Sequence, residues 1–150
     1  MMSKVQESID VDVPVSTAYN QWTQFEDFPK FMDGVEEITQ IDDRHNHWKT
    51  KIAGVSREFD TEIVDQTPDD HVTWRTTSGD IKQTGMVSFE PIDATHTHIK
   101  MTMDFQPEGM AEKAADMTGM PDRQVKGDLK RFKHFIEDRG TATGGYRRNL

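Results

Sequence analysis

Six consecutive segments between residues 35 and 105 have the alternation and the boundaries of β-strands, and the connections between them are short. They are residues 35–41, 47–55, 57–64, 71–76, 81–90 and 97–105, separated by turn-forming stretches such as "TSGD" and "PIDAT". A parallel pair of strands needs a crossover of about a dozen residues or more. The short connections therefore predict a meandering antiparallel sheet.

A seventh strand and two short helices come before this meander. The stretch "VQESIDVDV" alternates apolar and polar residues and ends at Pro14, which is typical of a half-buried strand. The period then changes to that of a helix in "PVSTAYNQW", and again in "FEDFPKFM", where Phe25, Phe28, Phe31 and Met32 lie three to four residues apart. Two short helices are predicted between the first and second strands.

The alternation of apolar and polar residues also assigns side chains to the two faces of the sheet, because successive side chains of a strand point to opposite sides. One face carries most of the apolar residues, and the other carries Lys, Glu, Asp, His and Arg. We expect one side of the sheet to be covered. The residues predicted to face inward are Trp48, Thr50, Ile52, Phe59, Thr61, Ile63, Val72, Trp74, Thr76, Val87, Phe89, Ile99, Met101, Met103 and Phe105.

A long amphipathic helix near the C-terminus is the candidate for the covering element. Pro121 suits its first turn and Gly140 suits the residue after its end. We predict one domain over residues 1–140 and a mobile tail over residues 141–150, which has no periodicity. The apolar stripe of the helix consists of Val125, Leu129, Phe132, Phe135 and Ile136.

The composition narrows the class of partner. A formal net charge of −9 over 150 residues opposes non-specific nucleic-acid binding, which depends on cationic neutralisation of phosphate. The chain has no Cys, no apolar run long enough for stable membrane insertion and no signal-peptide pattern. We expect a soluble cytoplasmic protein that has no nucleic-acid partner. The composition does not determine its oligomeric state.

The order of these elements resembles the START-like (SRPBCC) superfamily, and in particular its polyketide cyclase/dehydrase branch, which is grouped with the coenzyme Q-binding START-type proteins. The matching landmarks are "VDVPVSTAYNQWTQFEDFPKFMDGVEEI", "DDRHNHWK", "FDTEIVDQTPDDHVTWRT", "GMVSFEPI" and "RQVKGDLKRFKHFIE". The resemblance implies an α+β helix-grip fold, in which a curved seven-stranded antiparallel sheet wraps around the long C-terminal helix.

That resemblance also implies an apolar cavity between sheet and helix, which takes a lipid, polyketide, quinone or other hydrophobic small molecule. Ordinary core packing is the competing interpretation of the same side chains, and for the threonines a hydrogen bond to neighbouring backbone is the preferred one. The residues expected to contact such a ligand are Trp22, Phe28, Phe31, Met32, Trp48, Phe59, Thr61, Trp74, Thr76, Phe89, Met101, Met103, Met117 and Met120.

Other chemistry has weaker support in the sequence. The pairs His45 with His47 and His96 with His98 each lie on one face of a strand, but they are expected to face solvent rather than a metal. The chain contains no nucleophile elbow, phosphate-binding loop or dinucleotide fingerprint, and no catalytic residue or cofactor is predicted. Arg75 is predicted to point outward, unless a bulge turns it toward an anionic ligand group.

Three functions remain open from the sequence. The first is binding or carriage of a hydrophobic ligand, the second is a polyketide cyclase or dehydratase, and the third is a protein-interaction or ribosome-associated role. An enzyme would show a buried ionisable group of perturbed pKa at the cavity wall. A carrier would show an apolar cavity without one, and an interaction protein would show a filled interior and an exposed apolar patch.

Overall fold

The computed structural model of the chain describes residues 3–52, 54–79, 81–107 and 120–145. The predicted element order and the α+β class are confirmed. The elements are β1 (Ser3–Val11), α1 (Val15–Trp22), a 3₁₀ helix (Phe25–Lys30), β2 (Val35–Gln40), β3 (His45–Ile52), β4 (Val55–Thr67), β5 (His71–Gly79), β6 (Ile81–Asp93), β7 (His96–Pro107) and α2 (Met120–Arg139).

The seven strands form one antiparallel sheet in the order β1-β7-β6-β5-β4-β3-β2. Strands β2 to β7 form the predicted meander, and β1 closes the far edge by pairing with β7, so that Ser3 lies opposite Phe105. Irregularities of register occur in β2, β4 and β6. Because bulges bend a strand and increase its twist, they help this sheet curl into a half-barrel with one concave face.

Helix α2 lies in that concave face and buries its apolar stripe. Leu129, Phe132 and Ile136 are at most 1% exposed. The helix ends as the sequence predicts, because Gly140 has a φ of 72° and its N–H donates to the carbonyl oxygen of Ile136 at 2.8 Å. At the edge of the sheet formed by β1, Lys133 Nζ donates to the Asp10 carbonyl oxygen at 3.0 Å, which ties the helix to β1.

The two short helices close one end of the half-barrel with aromatic side chains. Trp22 of α1 contacts Phe28 of the 3₁₀ helix and Phe132 of α2, with ring centroids 5.4 and 5.0 Å apart. Arg131 Nε donates to the Phe31 carbonyl oxygen at 2.9 Å. The segment "FEDFPKFMDG" is therefore fixed between the sheet and α2.

The chain returns to α1 after α2 ends. Thr143 N–H donates to Gln21 Oε1 at 2.8 Å, and the Thr143 hydroxyl donates to an Asp27 carboxylate oxygen. Residues 146–150 lie outside the described residues, and the division into a domain and a mobile tail stays a prediction. Within the described residues, no helix has the length and apolar character needed to cross a membrane.

Candidate functional site

A partly open cavity of about 140 Å³ lies between the concave face of the sheet and α2. Its wall is mostly apolar, and aromatic rings form a large part of it. Nine of the residues expected from the sequence line it, and they come from α1, the segment after it and four strands. They are Trp22, Phe28, Met32, Trp48, Phe59, Thr61, Trp74, Met101 and Met103.

The other expected residues are not part of the cavity wall that the structure describes. Phe31 packs against Phe132 and Phe135 of α2, with ring centroids 5.1 and 5.4 Å away, rather than against the cavity. Phe89 is buried next to Tyr19 and Trp22. Met117 lies outside the described residues, and only the backbone of Met120 is described.

Sequence reasoning did not select nine further lining residues as ligand contacts. Ile63, Val72 and Thr50 belong to the inward-facing set, so alternation alone was enough to find them. Asn46 has the same parity as Trp48, but it precedes the predicted start of this strand, at His47, whereas β3 begins at His45. The full set that was not selected is Phe25, Val35, Asn46, Thr50, Ile63, Val72, Gln83, Val125 and Asp128.

Thr76 lies where β5 and β6 separate. Its hydroxyl accepts a hydrogen bond from Gln83 N–H at 3.0 Å and donates to the Gln83 carbonyl oxygen at 3.2 Å, in place of a direct backbone pair. Beyond this point β5 pairs only with β4, and β6 only with β7. A cleft of about 320 Å³ opens between them, lined by residues 75–79 and 82–84, and Gln83 lines both the cleft and the cavity.

Close backbone approach fixes the position of Trp74. Trp74 and Gly85 are partners across β5 and β6. A Cβ atom on Gly85 would lie 2.3 Å from Cζ2 of the indole, so the ring occupies the space that a side chain at position 85 would take. The absence of a side chain at Gly85 therefore lets the indole lie over β6, with one edge at the cavity wall.

A second tryptophan has its polar atom satisfied within the wall. Trp48 Nε1 donates to Thr61 Oγ1 at 2.8 Å, and Thr61 is 1% exposed. The Trp48 indole also stacks on Phe59, with centroids 5.6 Å apart and an interplanar angle of 14°. These contacts make a rigid aromatic surface on one side of the cavity.

Asp128 is the only ionisable side chain among the described residues that line the cavity. Its carboxylate is bound by Arg131 Nη2 at 2.5 Å and accepts a hydrogen bond from Asp33 N–H at 3.2 Å. The charge is therefore paired, and the contact holds α2 against the turn that follows the 3₁₀ helix.

The two predicted histidine pairs, His45 with His47 and His96 with His98, lie on the outer face of the sheet, as expected, and carboxylates surround them. His47 contacts Glu58 at 2.9 Å and Asp60 at 2.6 Å, and these hydrogen bonds raise the pKa of His47 above its ordinary value. Arg75 also points outward and pairs with Glu62 at 2.9 Å. In the part of the chain that the structure describes, no three His, Asp or Glu side chains form a group suited to a metal ion.

Comparison with known proteins identifies the family of the chain and a close relative. Residues 11–133 match the family described as "Polyketide cyclase / dehydrase and lipid transport". An uncharacterised 17.2 kDa protein from the melC2-rnhH intergenic region of Streptomyces lincolnensis is 56% identical over 146 residues, which cover 97% of each chain.

Two solved structures share the fold at low sequence identity. The Zhui aromatase/cyclase from Streptomyces sp. R1128 superposes with a TM-score of 0.81 at 14% identity, covering 97% of this chain and 100% of that one. A START superfamily protein from Mycobacterium smegmatis gives a TM-score of 0.72 at 16% identity, covering 91% of this chain and 95% of that one. The helix-grip architecture predicted from the sequence is confirmed.

Proposed function

Because the chain belongs to the polyketide cyclase/dehydrase and lipid transport family, we propose that it binds and carries a small hydrophobic molecule in the cavity between sheet and α2. The observation that carries this proposal is the cavity wall, which is mostly apolar and includes all three tryptophans of the chain. Apolar walls with a few placed polar groups are typical of ligand sites.

The volume of the cavity limits the size of the buried part of the ligand. An apolar cavity of about 150 Å³ is large enough to hold benzene, and this cavity has about 140 Å³. Larger ligands usually occupy roughly 300 Å³ or more. One ring of a quinone-like or polyketide ligand fits inside, and the rest of a larger molecule would extend through the open side.

The contacts of the Asp128 carboxylate with Arg131 and with a backbone N–H favour carriage over catalysis. A general acid or base works best with a pKa near the operating pH, and burial without a partner is one way to reach it. Asp128 is instead engaged by Arg131 and by a backbone N–H, so it is not an unpartnered carboxylate of that kind. The other described residues of the wall offer no ionisable group.

A cyclase or dehydratase reaction is the second candidate, and the fold shared with the Zhui aromatase/cyclase supports it. An Asp128→Asn variant separates the two candidates. Under carriage the variant keeps its ligand affinity, whereas a reaction that uses this carboxylate loses turnover of a linear poly-ketone substrate.

A protein-interaction role has less support. The large apolar side chains exposed in the described residues lie on β4, on β6 and in the loop after β2; they are Val55, Val64, Met86, Ile92 and Ile41. None of them belongs to the two short helices. Scattered exposure of this kind is ordinary for a protein surface and forms no docking patch.

The test of carriage is a titration with ethylbenzene in which binding is monitored by intrinsic tryptophan fluorescence. Binding is expected to change the emission in a saturable way and to raise Tm by mass action. Val125→Phe places a ring in the cavity and should weaken binding by roughly tenfold or more, since the added ring takes the space of the ligand. Val64→Phe is the matched control, because Val64 is exposed on β4.

Two results would contradict the proposal. One is the absence of saturable binding to the folded protein. The other is a Val125→Phe variant that is folded and binds ethylbenzene as tightly as the Val64→Phe control. A native mass spectrum of protein purified from its own organism complements the titration, because a co-purifying molecule would identify the ligand class directly.

A further inference from the structure

Two polar atoms in the cavity wall have no hydrogen-bond partner among the described residues. They are Trp74 Nε1, a donor, and Asn46 Oδ1, an acceptor. Asn46 is 2% exposed and Trp74 is 9% exposed, and both line the cavity. In contrast, Trp48 Nε1 is satisfied by Thr61 in the same wall.

Unpartnered polar atoms of this kind are unusual in a folded protein. A buried donor or acceptor gives up its hydrogen bonds to water, and folding normally replaces them within the protein. Here a donor and an acceptor in the wall of the same cavity remain unpaired. Both residues line that cavity, so a molecule bound there is the available partner for the two atoms.

The sheet geometry keeps the two atoms apart. Asn46 on β3 lies opposite Thr61 on β4, and Trp74 on β5 lies opposite Ile63, two residues further along β4. Regular strand spacing and rise place the Cα atoms of Asn46 and Trp74 about 12 Å apart. The indole leans over Gly85 on β6, away from β3, so the two polar atoms do not converge on a single ligand atom.

We propose that the cavity recognises a single aromatic ring carrying a carbonyl group and a hydroxyl group at opposite positions, a 4-hydroxyphenyl ketone or a close relative. The ligand carbonyl oxygen accepts the hydrogen bond from Trp74 Nε1. The phenolic O–H donates to Asn46 Oδ1. This inference rests on the proposed carrier function and specifies which ligands that site selects.

The rest of the wall suits the body of such a ligand. The stacked pair of Trp48 and Phe59 offers an aromatic surface to the ring. The cavity volume of about 140 Å³ matches one ring rather than a fused system. The paired carboxylate of Asp128 leaves the site without a free charge, so a neutral phenol is favoured over a phenolate.

The experiment is a calorimetric titration of the full chain with four probes that differ in one group at a time. They are 4′-hydroxyacetophenone, acetophenone without the hydroxyl, 4-ethylphenol without the carbonyl, and ethylbenzene without either. The first probe is expected to bind roughly tenfold more tightly than acetophenone or 4-ethylphenol, because each of those leaves one wall atom unpaired.

Two variants assign each preference to its residue. Trp74→Phe removes the donor and should abolish the preference for the carbonyl while keeping that for the hydroxyl. Asn46→Leu removes the acceptor and should abolish the preference for the hydroxyl while keeping that for the carbonyl. Without ligand, Asn46→Leu should not lower Tm, because it removes a buried polar atom that has no partner.

Thr97→Val is the control for that stability measurement. Thr97 is fully buried outside the cavity, and its hydroxyl donates to the Val13 carbonyl oxygen at 2.8 Å. Removing this satisfied group should lower Tm and leave the preferences among the four probes unchanged. The contrast separates an unpaired recognition group from an ordinary structural one.

The outcomes distinguish this inference from the carrier proposal. If ethylbenzene binds as tightly as 4′-hydroxyacetophenone, the polar pair has no recognition role, although the cavity still binds a ring. If Trp74→Phe and Asn46→Leu lose both preferences equally, the assignment of groups to residues is overturned. If none of the probes binds the folded protein, the carrier proposal fails as well.

Discussion

Substituting Gly85 by Ala tests how the sheet holds Trp74 at the cavity wall. The new Cβ atom would lie 2.3 Å from Cζ2 and 2.6 Å from Cε2 of the indole. Carbon atoms in favourable contact are about 3.5–4.0 Å apart, so the indole has to move by at least about 1.2 Å. The cavity next to it gives room for that movement.

The expected cost follows from two opposing effects. Overpacking a well-packed site typically costs about 1–3 kcal/mol. Replacing Gly by Ala within a strand returns about 0.5–1 kcal/mol, because the unfolded chain loses freedom. The net expectation is a loss of about 1–2 kcal/mol in the free energy of unfolding, which lowers Tm by about 2–8 °C in a chain of this size.

Urea denaturation of a double-mutant cycle with Trp74→Leu measures the effect. In the Trp74→Leu background the indole is gone, so Gly85→Ala should be neutral or slightly stabilising. An equal loss of stability in both backgrounds would refute the reasoning, because the clash would then not involve the indole. The m-value should stay constant through the cycle.

Two further predictions concern hydrogen bonds on opposite faces of the sheet. Hydrogen bonds to Asp65, at 2.6 Å, and to Asp70 raise the pKa of His71 above its ordinary value. The stability that His71 contributes is therefore fully present below a pH of about 6.5, the unfolded pKa, and is lost as the pH rises through the folded pKa. NMR titration should show the raised pKa, and His71→Gln should flatten the dependence of urea unfolding on pH in that window; an unchanged slope would exclude the contribution. Inside the cavity, Trp48→Phe should cost about 1–3 kcal/mol in urea unfolding, because it leaves the buried Thr61 hydroxyl without its donor; a variant as stable as the parent would show that this bond contributes nothing.

Strand alternation explains why much of the cavity wall could be predicted from the sequence. A pleated strand repeats every two residues, so Trp48, Phe59 and Trp74 were assigned to the covered face without any knowledge of the fold. Asn46 has the same parity, but a polar residue at the start of a strand gives no apolar signal. Its inward position follows from where β3 begins, at His45, which is two residues before the start that the sequence predicts.

Local irregularity explains the residues that were placed less well. The 3₁₀ helix has about three residues per turn, and it ends at Lys30, so Phe31 lies beyond it and turns toward α2 rather than following Phe28. Thr76 follows the point where β5 and β6 part, next to a bulge between Asp60 and Thr61. Bulges depend on the pairing of several strands and leave little trace in one of them.

The pairing of β1 with β7 has a consequence for synthesis on the ribosome. Strand β1 is made first, but its only neighbour in the sheet is completed about 100 residues later, which at about 5–20 residues per second is a delay of about 5–20 s. Strands β2 to β6 can pair with sequential neighbours during that time. The apolar side chains Val5 and Val11 of β1 stay uncovered during this interval, and transiently exposed apolar surface of this kind promotes aggregation of a nascent chain.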